Sequence, residues 1–182
     1  MFSWNKKKIC IYLGNNFPAK FSKQNLQVLK KLGFSLYIKK CDFSKDLDLE
    51  DNKPNKYVRK IYITEQKYKG NSNSTDVFAL IQSDEIYLFC KILSMPFYNK
   101  KHKETNNLLY VRRIQLLLLQ SIGFSYGLNY CKDQTCAMSY AGRFYEWDEK
   151  MPGFCESCNE KLKININNNY ILTNETKIYS NE

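Results

Sequence analysis

Four of the seven cysteines are spaced like the ligands of one metal ion. They follow the pattern Cys131-x4-Cys136-x18-Cys155-x2-Cys158, which is two short-spaced pairs joined by a longer segment. This spacing is typical of a zinc site with four thiolate ligands, because each pair can wrap one side of a tetrahedral ion. Thiolates in all four positions leave none open for chemistry, so the pattern predicts one structural zinc. The alternative is two pairs of free thiols that lie near one another.

The composition is that of a globular domain in a reducing compartment. The chain has 182 residues, of which 43% are hydrophobic and 25% charged, and this is enough for one compact domain with a core. No apolar run approaches the ~20 residues that span a bilayer. The apolar stretch after Lys6, Lys7 and Lys8 is too short for the core of a signal peptide. We therefore expect a cytoplasmic protein with no membrane partner, in which cysteines stay reduced.

A second pattern has the spacing of a metalloprotease motif without its metal ligands. From Gln120 onward the chain is in register with the metzincin motif H-E-x-x-H-x-x-G-x-x-H, and Gly127 stands at the glycine position. The histidine positions are Gln120, Phe124 and Tyr130, and the glutamate position is Ser121. Zinc prefers imidazole, thiolate or carboxylate ligands, and serine cannot replace the carboxylate that activates a metal-bound water. We expect a packed segment without catalytic residues, with Tyr130 as a partly exposed contact.

The histidine count excludes the usual zinc site of such an enzyme. The chain contains a single histidine, His102. No site with three histidine ligands can therefore be built anywhere in it.

Upstream of this motif, hydrophobic periodicity predicts the elements of an α+β domain. Strands are predicted where short apolar or alternating runs lie between turn residues, and helices where apolar residues recur at helical spacing. The predicted strands are 8–13, 34–38, 77–81 and 86–93, and the predicted helices are 17–32, 57–69 and 108–121. The helix over 57–69 has a strand as its alternative, because its isoleucines are β-prone. The last helix, extended to 123, carries the degenerate motif and is expected to end near Gly123 or Gly127.

The chain after residue 130 is divided by the cysteine pattern. Residues 131–158 show little regular apolar patterning, so we expect mostly irregular structure that depends on the metal for its folding free energy. The Asn-rich stretch 159–182 has the composition of an extended or flexible segment, and strand, docking tail and disorder all remain open. We predict an α/β domain over 1–130, a zinc module over 131–164 and an extended tail over 165–182.

The two patterns together resemble the archaemetzincins, a family of metzincin-type zinc peptidases with a second, structural zinc. In that family the catalytic motif is followed by Cys-x4-Cys-x-Met, then an Asp, then Phe-Cys-x-x-Cys. The matching residues here are Cys131, Cys136, Met138, Asp148, Phe154, Cys155 and Cys158. The resemblance implies an α+β fold with a metzincin-like mixed sheet, helices and a C-terminal cysteine-rich zinc module. It also implies that Met138 belongs to the turn beneath the former active site.

The charge of the chain favours an acidic partner. The formal net charge is +10 and the pI is about 9.2, so the surface would attract nucleic acid with salt-sensitive affinity. Aromatic residues make up 15% of the chain and offer stacking surfaces for unpaired bases. A bias toward A/T-rich codons is the alternative cause of the abundant lysines. The candidate phosphate contacts are Lys6, Lys7, Lys8, Lys100, Lys101, Lys103, Lys161 and Lys163.

The missing ligands, the charge and the amino-acid bias together resemble a microsporidian ribosome dormancy factor. The resemblance implies a non-enzymatic protein that binds rRNA and ribosomal proteins at the tRNA exit (E) site of the small subunit and keeps idle ribosomes inactive. It would take no small-molecule substrate. The alternative is an inactive pseudoprotease that binds a peptide or protein partner beside an edge strand, as metzincin clefts do. Residual catalysis would require a metal held by Gln120, Tyr130 and a further ligand.

Overall fold

The computed structural model describes a six-stranded sheet with helices. The strands are β1 (Lys8–Gly14), β2 (Ser35–Cys41), β3 (Arg59–Thr64), β4 (Val77–Gln82), β5 (Glu85–Phe89) and β6 (Lys177–Ser180). The helices are α1 (residues 26–31), α2 (Asn106–Ser125), α3 (Phe144–Glu149) and α4 (Glu156–Asn167), with a 3₁₀ turn at Lys91–Ser94. The described residues are 7–15, 17, 26–43, 59–65, 77–82, 84–94, 106–150, 152–168 and 177–180.

The sheet is mixed, with the strand order β2-β1-β3-β5-β4-β6. The pairs β2–β1, β1–β3 and β3–β5 are parallel. β4 runs antiparallel to both of its neighbours, β5 and β6. The predicted α+β class with a mixed sheet is therefore confirmed.

The interior strand β1 is buried on both faces of the sheet. Only Lys8 at its start is exposed, and the following residues through Gly14 are buried. A continuous apolar run of this kind is typical of a parallel strand covered on both sides. The strand predicted over 8–13 is confirmed, one residue longer.

β3 corrects the helix predicted over 57–69. Ile61 and Ile63 belong to the main core, whereas Tyr62 belongs to a second cluster on the opposite face. This alternation has the period of two that defines a strand. The apolar spacing also fitted a helix, and the β-branched isoleucines of a strand buried on both sides decided the outcome. The rest of that prediction lies outside the described residues, apart from residue 65.

The helix predicted over 17–32 is confirmed for residues 26–31 only, because residue 17 is not helical and residues 18–25 lie outside the described residues. The strand predicted over 34–38 is observed at Ser35–Cys41. Residues 26–31 are helical, and Gly33 has a φ of +89°, a conformation that glycine adopts without strain and that ends helices. β2 then runs to Cys41 at one edge of the sheet, with most of its side chains exposed. The stretch 42–56 is polar and acidic and contains Pro54, which predicts a loop, and it lies almost wholly outside the described residues.

β4 and β5 form an antiparallel pair where two strands were predicted. β4 lies within the sheet, second from one edge. The strand predicted over 86–93 ends at Phe89, and the 3₁₀ turn follows it.

α2 is the longest described helix, and it positions the degenerate motif. It runs from Asn106 to Ser125, past the predicted stop at Gly123 to the other expected stop at Gly127, which has a φ of +77°. Its second half is buried on all sides, from residue 116 through 126. Such a helix belongs in a core.

The C-terminal third is more regular than predicted. α3 lies inside the stretch 131–158, which was expected to be mostly irregular, and α4 continues past residue 164 to Asn167. The apolar residues Cys158, Leu162 and Ile166 are buried at intervals of four. The surrounding asparagines, lysines and glutamates obscured this helical period. β6 falls within the predicted tail and adds a strand to the sheet beside β4.

None of the described helices combines the length and hydropathy required to cross a membrane.

Candidate metal centre and the adjoining metzincin motif

The four cysteines predicted as metal ligands lie together. The Sγ atoms of Cys131, Cys136, Cys155 and Cys158 are all within 4.8 Å of one another, and those of Cys131 and Cys155 are 3.7 Å apart. In a tetrahedral site with Zn–S bonds of about 2.3 Å, neighbouring sulfurs are about 3.8 Å apart. Among the described residues, this is the one group of three or more potential ligand side chains placed to hold a metal ion.

Two local structures bring the cysteine pairs to one point. The backbone N–H of Cys131 donates to the carbonyl oxygen of Met138 at 2.9 Å, and an isolated parallel bridge joins Cys131 to Ser139. This pairing brings the segment that carries Cys131 beside the turn that carries Cys136. Cys155 is the N-cap residue of α4, and Cys158 lies in its first turn, so the start of one helix presents the second pair.

Hydrogen bonds to sulfur prepare the site for a cation. The backbone N–H groups of Met138 and Cys155 donate to the Sγ of Cys136 at 3.4 and 3.3 Å. A hydrogen bond from the backbone N–H of Cys158 lowers the pKa of Cys155, whereas desolvation raises the pKa of Cys136 and of Cys158. Zinc would supply the positive charge that four clustered thiolates require. The cluster therefore fits one structural zinc, as predicted.

The first two positions of the degenerate motif are buried beside this centre. Gln120 is 7% exposed, and its Nε2 donates to the carbonyl oxygen of Ser139 at 3.2 Å. Ser121, at the general-base position, is 1% exposed. The amide at the first ligand position is thus engaged with backbone, and the hydroxyl at the base position faces the core.

Aromatic side chains stand at the other two ligand positions. Phe124 is buried, and its ring meets Tyr130 edge-on at 5.1 Å between centroids. Tyr130 in turn meets Tyr140 edge-on at 5.4 Å. Tyr130 is 49% exposed, as predicted, and its role as a contact stays a prediction.

A buried lysine that the sequence analysis did not single out lies at the same place. Lys150 is 2% exposed, and its Nζ donates to the carbonyl oxygen of Ser139, the acceptor that Gln120 also uses. Desolvation lowers the pKa of Lys150 to about 8. Its side chain also lies over the ring of Trp147, with Nζ 5.9 Å from the centroid. No sequence signal separated it from the many surface lysines of the chain.

Arg112 and Arg113 interrupt the apolar sequence of α2, and both have hydrogen-bond partners in the fold. Arg113 is buried and forms two hydrogen bonds with the carboxylate of Asp148, at 2.9 and 3.2 Å, and a third with the carbonyl oxygen of Leu93. Arg112 donates to the carbonyl oxygen of Lys150. These contacts fasten α3 and the residue after it to α2. Asp148, noted in the sequence only as a family match, has this structural role.

Close packing joins α2 to the turn around Met138. A Cβ atom added at Gly123 would collide with the Sδ of Met138. Glycine at this position lets the methionine lie directly against the helix. Met138 is fully buried, as expected for a residue of the turn beneath the motif.

The end of α2 is held by an arginine from the sheet. Arg59 of β3 is fully buried, and its Nη2 donates to the carbonyl oxygen of Ser125 at 2.7 Å. Its guanidinium lies over the ring of Tyr126, with Cζ 4.5 Å from the centroid. A cation at the C-terminus of a helix satisfies a terminal carbonyl and complements the helix dipole. The helix predicted over 57–69 was wrong here, because Arg59 lies on the strand β3.

The predicted phosphate-binding lysines fall on two described elements. Lys8 is exposed at the start of β1, next to the half-buried Lys7. Lys161 and Lys163 are exposed on α4. The remaining candidates, Lys6, Lys100, Lys101 and Lys103, lie outside the described residues, as does His102.

Comparison with known proteins identifies the family. The model of Peptidase family M54 matches residues 57–164, which is more than half of the chain. The chain belongs to this family. The match extends from β3 through the motif helix to α4, and it therefore contains the whole cysteine cluster.

Curated members of family M54 align over shorter stretches. Archaemetzincins from Methanopyrus kandleri, Aeropyrum pernix and Sulfolobus acidocaldarius are 38%, 37% and 30% identical to the chain over 58, 67 and 89 residues. These stretches are 32%, 37% and 49% of this chain and 33%, 37% and 49% of the respective relative. The alignments thus span between a third and a half of the length of the curated relatives.

Solved structures show the same fold over most of the chain. The archaemetzincin from Methanopyrus kandleri superposes with a TM-score of 0.69 and 21% identity, covering 89% of this chain and 96% of that chain. A zinc-dependent peptidase from Methanocorpusculum labreanum gives a TM-score of 0.63 and 16% identity, covering 85% and 99%. The predicted archaemetzincin resemblance is confirmed.

Proposed function

We propose that this chain is a non-enzymatic member of family M54 that binds ribosomes. In this proposal it occupies the tRNA exit (E) site of the small subunit in the cytoplasm, contacts rRNA and ribosomal proteins, and keeps idle ribosomes inactive. The observation that carries the non-enzymatic part is the use of the motif residues. Gln120 is engaged with the carbonyl oxygen of Ser139, and Phe124 is packed in the core.

The loss of catalysis follows from what those positions offer a metal. An amide already bonded to backbone, a phenyl ring and a phenol are poor substitutes for three imidazoles. Ser121 is buried, and a serine hydroxyl is too weak a base to activate water as the glutamate of the motif does. A fold kept without its reactive groups is most simply kept for binding.

The charge of the chain supports an RNA-rich partner. A net charge of +10 gives long-range attraction to phosphates, and each phosphate contact adds to the salt dependence of affinity. The ribosome presents both phosphates and unpaired bases to such a surface.

The sheet gives less support to the alternative of a peptide-binding pseudoprotease. Strand addition requires an open sheet edge. On the β4 side of the sheet, β6 of the same chain pairs with β4 and takes the edge position. An extended peptide would have to displace this strand before it could pair with β4.

Co-sedimentation with purified ribosomes over a salt series tests the proposal. The wild-type protein should pellet with ribosomes at low salt, and the logarithm of the affinity should fall linearly with the logarithm of the salt concentration. A Lys161→Gln/Lys163→Gln variant should bind more weakly and with a shallower slope. The matched control, Lys39→Gln/Lys40→Gln, removes the same charge from exposed positions on the edge strand β2 and should retain the wild-type slope. Absence of ribosome association at low salt would falsify the proposal.

A further inference from the structure

Two half-exposed tyrosines form a cluster at the third ligand position of the degenerate motif. Tyr130 and Tyr140 are 49% and 52% exposed, and their rings meet edge-on at 5.4 Å between centroids with an interplanar angle of 88°. We call these two residues the tyrosine pair. Phe124 supports Tyr130 from the core side. The pair therefore offers aromatic surface to solvent while its base is packed.

The backbone on both sides of the tyrosine pair is anchored. Tyr130 precedes Cys131, a ligand of the candidate zinc site, whose N–H donates to Met138. Tyr140 follows Ser139, whose carbonyl oxygen accepts hydrogen bonds from two buried side chains. Each ring is thus attached next to a hydrogen-bonded residue, and such anchoring lowers the entropy lost when a ligand orders the rings.

Two exposed cations lie close to the tyrosine pair in the sequence. Lys132 and Arg143 are exposed, and within the described part of the chain neither forms an ion pair. Two carboxylates of the same stretch are held by local hydrogen bonds from neutral groups, and both keep their negative charge. Asp133 accepts hydrogen bonds from the N–H and the hydroxyl of Thr135, and Glu146 accepts from the backbone N–H groups of Gly142 and Arg143. The stretch that carries the aromatic surface therefore also carries two exposed cations whose side chains form no ion pair within the described residues.

We propose that the tyrosine pair binds an unpaired nucleotide of single-stranded RNA. The base stacks on the ring of Tyr130 or Tyr140, and Lys132 and Arg143 contact the adjacent phosphates. This inference rests on the proposed function, because ribosomal RNA would supply the nucleotide. It assigns a binding role to a position where the family motif has a metal ligand.

An apolar peptide side chain is the less suitable occupant. It would use the rings but would leave the two cations without a partner. An unpaired nucleotide uses both, because any base has a π-face and each residue of the strand carries a phosphate. Stacking is also tolerant of sequence, which suits a contact made by ring surfaces alone.

Substitutions at Tyr130 and Tyr140 can separate the contribution of aromatic stacking to ribosome binding from that of apolar surface area. A Tyr130→Phe/Tyr140→Phe variant keeps both rings and should bind ribosomes within about twofold of wild type. A Tyr130→Leu/Tyr140→Leu variant keeps apolar side chains but removes the rings, and its affinity should fall about tenfold at every salt concentration, with the salt slope unchanged. Tyr37→Leu is the control, since Tyr37 is 51% exposed on the edge strand β2, and it should bind like wild type.

Ultraviolet cross-linking followed by mass spectrometry locates the contact directly. A nucleotide adduct on Tyr130 or Tyr140 of the ribosome-bound protein is the expected result. Wild-type affinity of the leucine variant, with no adduct on either tyrosine, would overturn this inference while leaving ribosome binding intact. If ribosome association itself is absent, the proposed function fails separately. Quenching of tyrosine fluorescence by an unpaired RNA oligonucleotide then decides the inference: saturable quenching that the leucine variant lacks supports it, and none contradicts it.

Discussion

The amide of Gln120 and the ammonium of Lys150 donate hydrogen bonds to the same acceptor, the backbone carbonyl oxygen of Ser139. Gln120 stands at the first metal-ligand position of the motif, and Ser139 follows the buried Met138. The chain therefore joins its motif helix to this turn by hydrogen bonds to backbone and places a desolvated cation beside them. In the function proposed above, these contacts hold the motif helix against the turn without a metal at the motif.

A double-mutant cycle measures this shared contact. Gln120→Met and Lys150→Met each leave the carbonyl of Ser139 with one donor, so each should cost only about 1 kcal/mol of unfolding free energy through that bond. The double variant leaves a buried carbonyl with neither donor, so it should lose about 1–2 kcal/mol more than the sum. Denaturant unfolding of the four proteins gives the coupling energy. Strict additivity would show that the two donors do not share the acceptor.

The cysteine cluster should control both zinc content and the fold of the C-terminal third. Cys155→Ser removes one thiolate, so zinc affinity should fall and residues 131–167 should lose their protection from proteolysis. Cys41→Ser is the control, because Cys41 lies on β2, away from the cluster in the fold. Zinc measured by elemental analysis should fall in the first variant and stay at the wild-type level in the second. A Cys155→Ser protein with unchanged zinc and melting temperature would overturn the ligand assignment.

The loss of unfolding free energy at alkaline pH should depend on a tyrosine cluster on the face of the sheet that lies opposite the main core. The hydroxyls of Tyr62 and Tyr87 donate to the carboxylate of Glu85 at 3.4 and 2.6 Å. Desolvation, together with this carboxylate, raises the pKa of both phenols above the ordinary value. The folded state therefore holds these protons at a pH where the unfolded chain releases them. This stabilisation is complete below about pH 10 and is lost as the pH rises further.

Tyr87→Phe isolates one of these protons. The variant should lose about 1 kcal/mol at neutral pH, because a hydrogen bond to a carboxylate disappears. Above about pH 10, its unfolding free energy should fall less steeply than that of wild type, by up to about 1.4 kcal/mol per pH unit. Urea unfolding at a series of alkaline pH values provides the comparison. Parallel curves for the two proteins would count against a raised pKa at Tyr87.

The packing of Gly123 against Met138 can be tested by adding one methyl group. Gly123→Ala should destabilise the protein by about 1–3 kcal/mol, because the new Cβ collides with the methionine sulfur. Adding Met138→Ala should make the Gly123→Ala change less costly in that background. Gly153→Ala is the control, since a Cβ there meets no atom within 4 Å, and thermal unfolding should show little change. Equal costs of Gly123→Ala with and without Met138 would refute the proposed contact.

Residue types and spacings predicted the parts of this protein that depend on local chemistry. The cysteine spacing alone predicted the ligand cluster, and the long apolar run predicted α2. The helix predicted around Arg59 was wrong because a run buried on both faces has no single period that separates strand from helix. Lys150 and Ser139 escaped prediction for a different reason. They contact each other, and Gln120 of α2 joins them, only in the folded chain. Nothing in a sequence distinguishes a lysine that folding will bury from one that stays in solvent.

The number of zinc ions bound per chain tests the central claim most directly. Native mass spectrometry of the protein, purified in the presence of zinc, should give a mass corresponding to one zinc, and the Cys155→Ser/Cys158→Ser variant should lose it. A second zinc in the wild-type protein, retained by the cysteine variant and removed by changes at Gln120 and Tyr130, would show that the motif still holds a metal and would contradict the account.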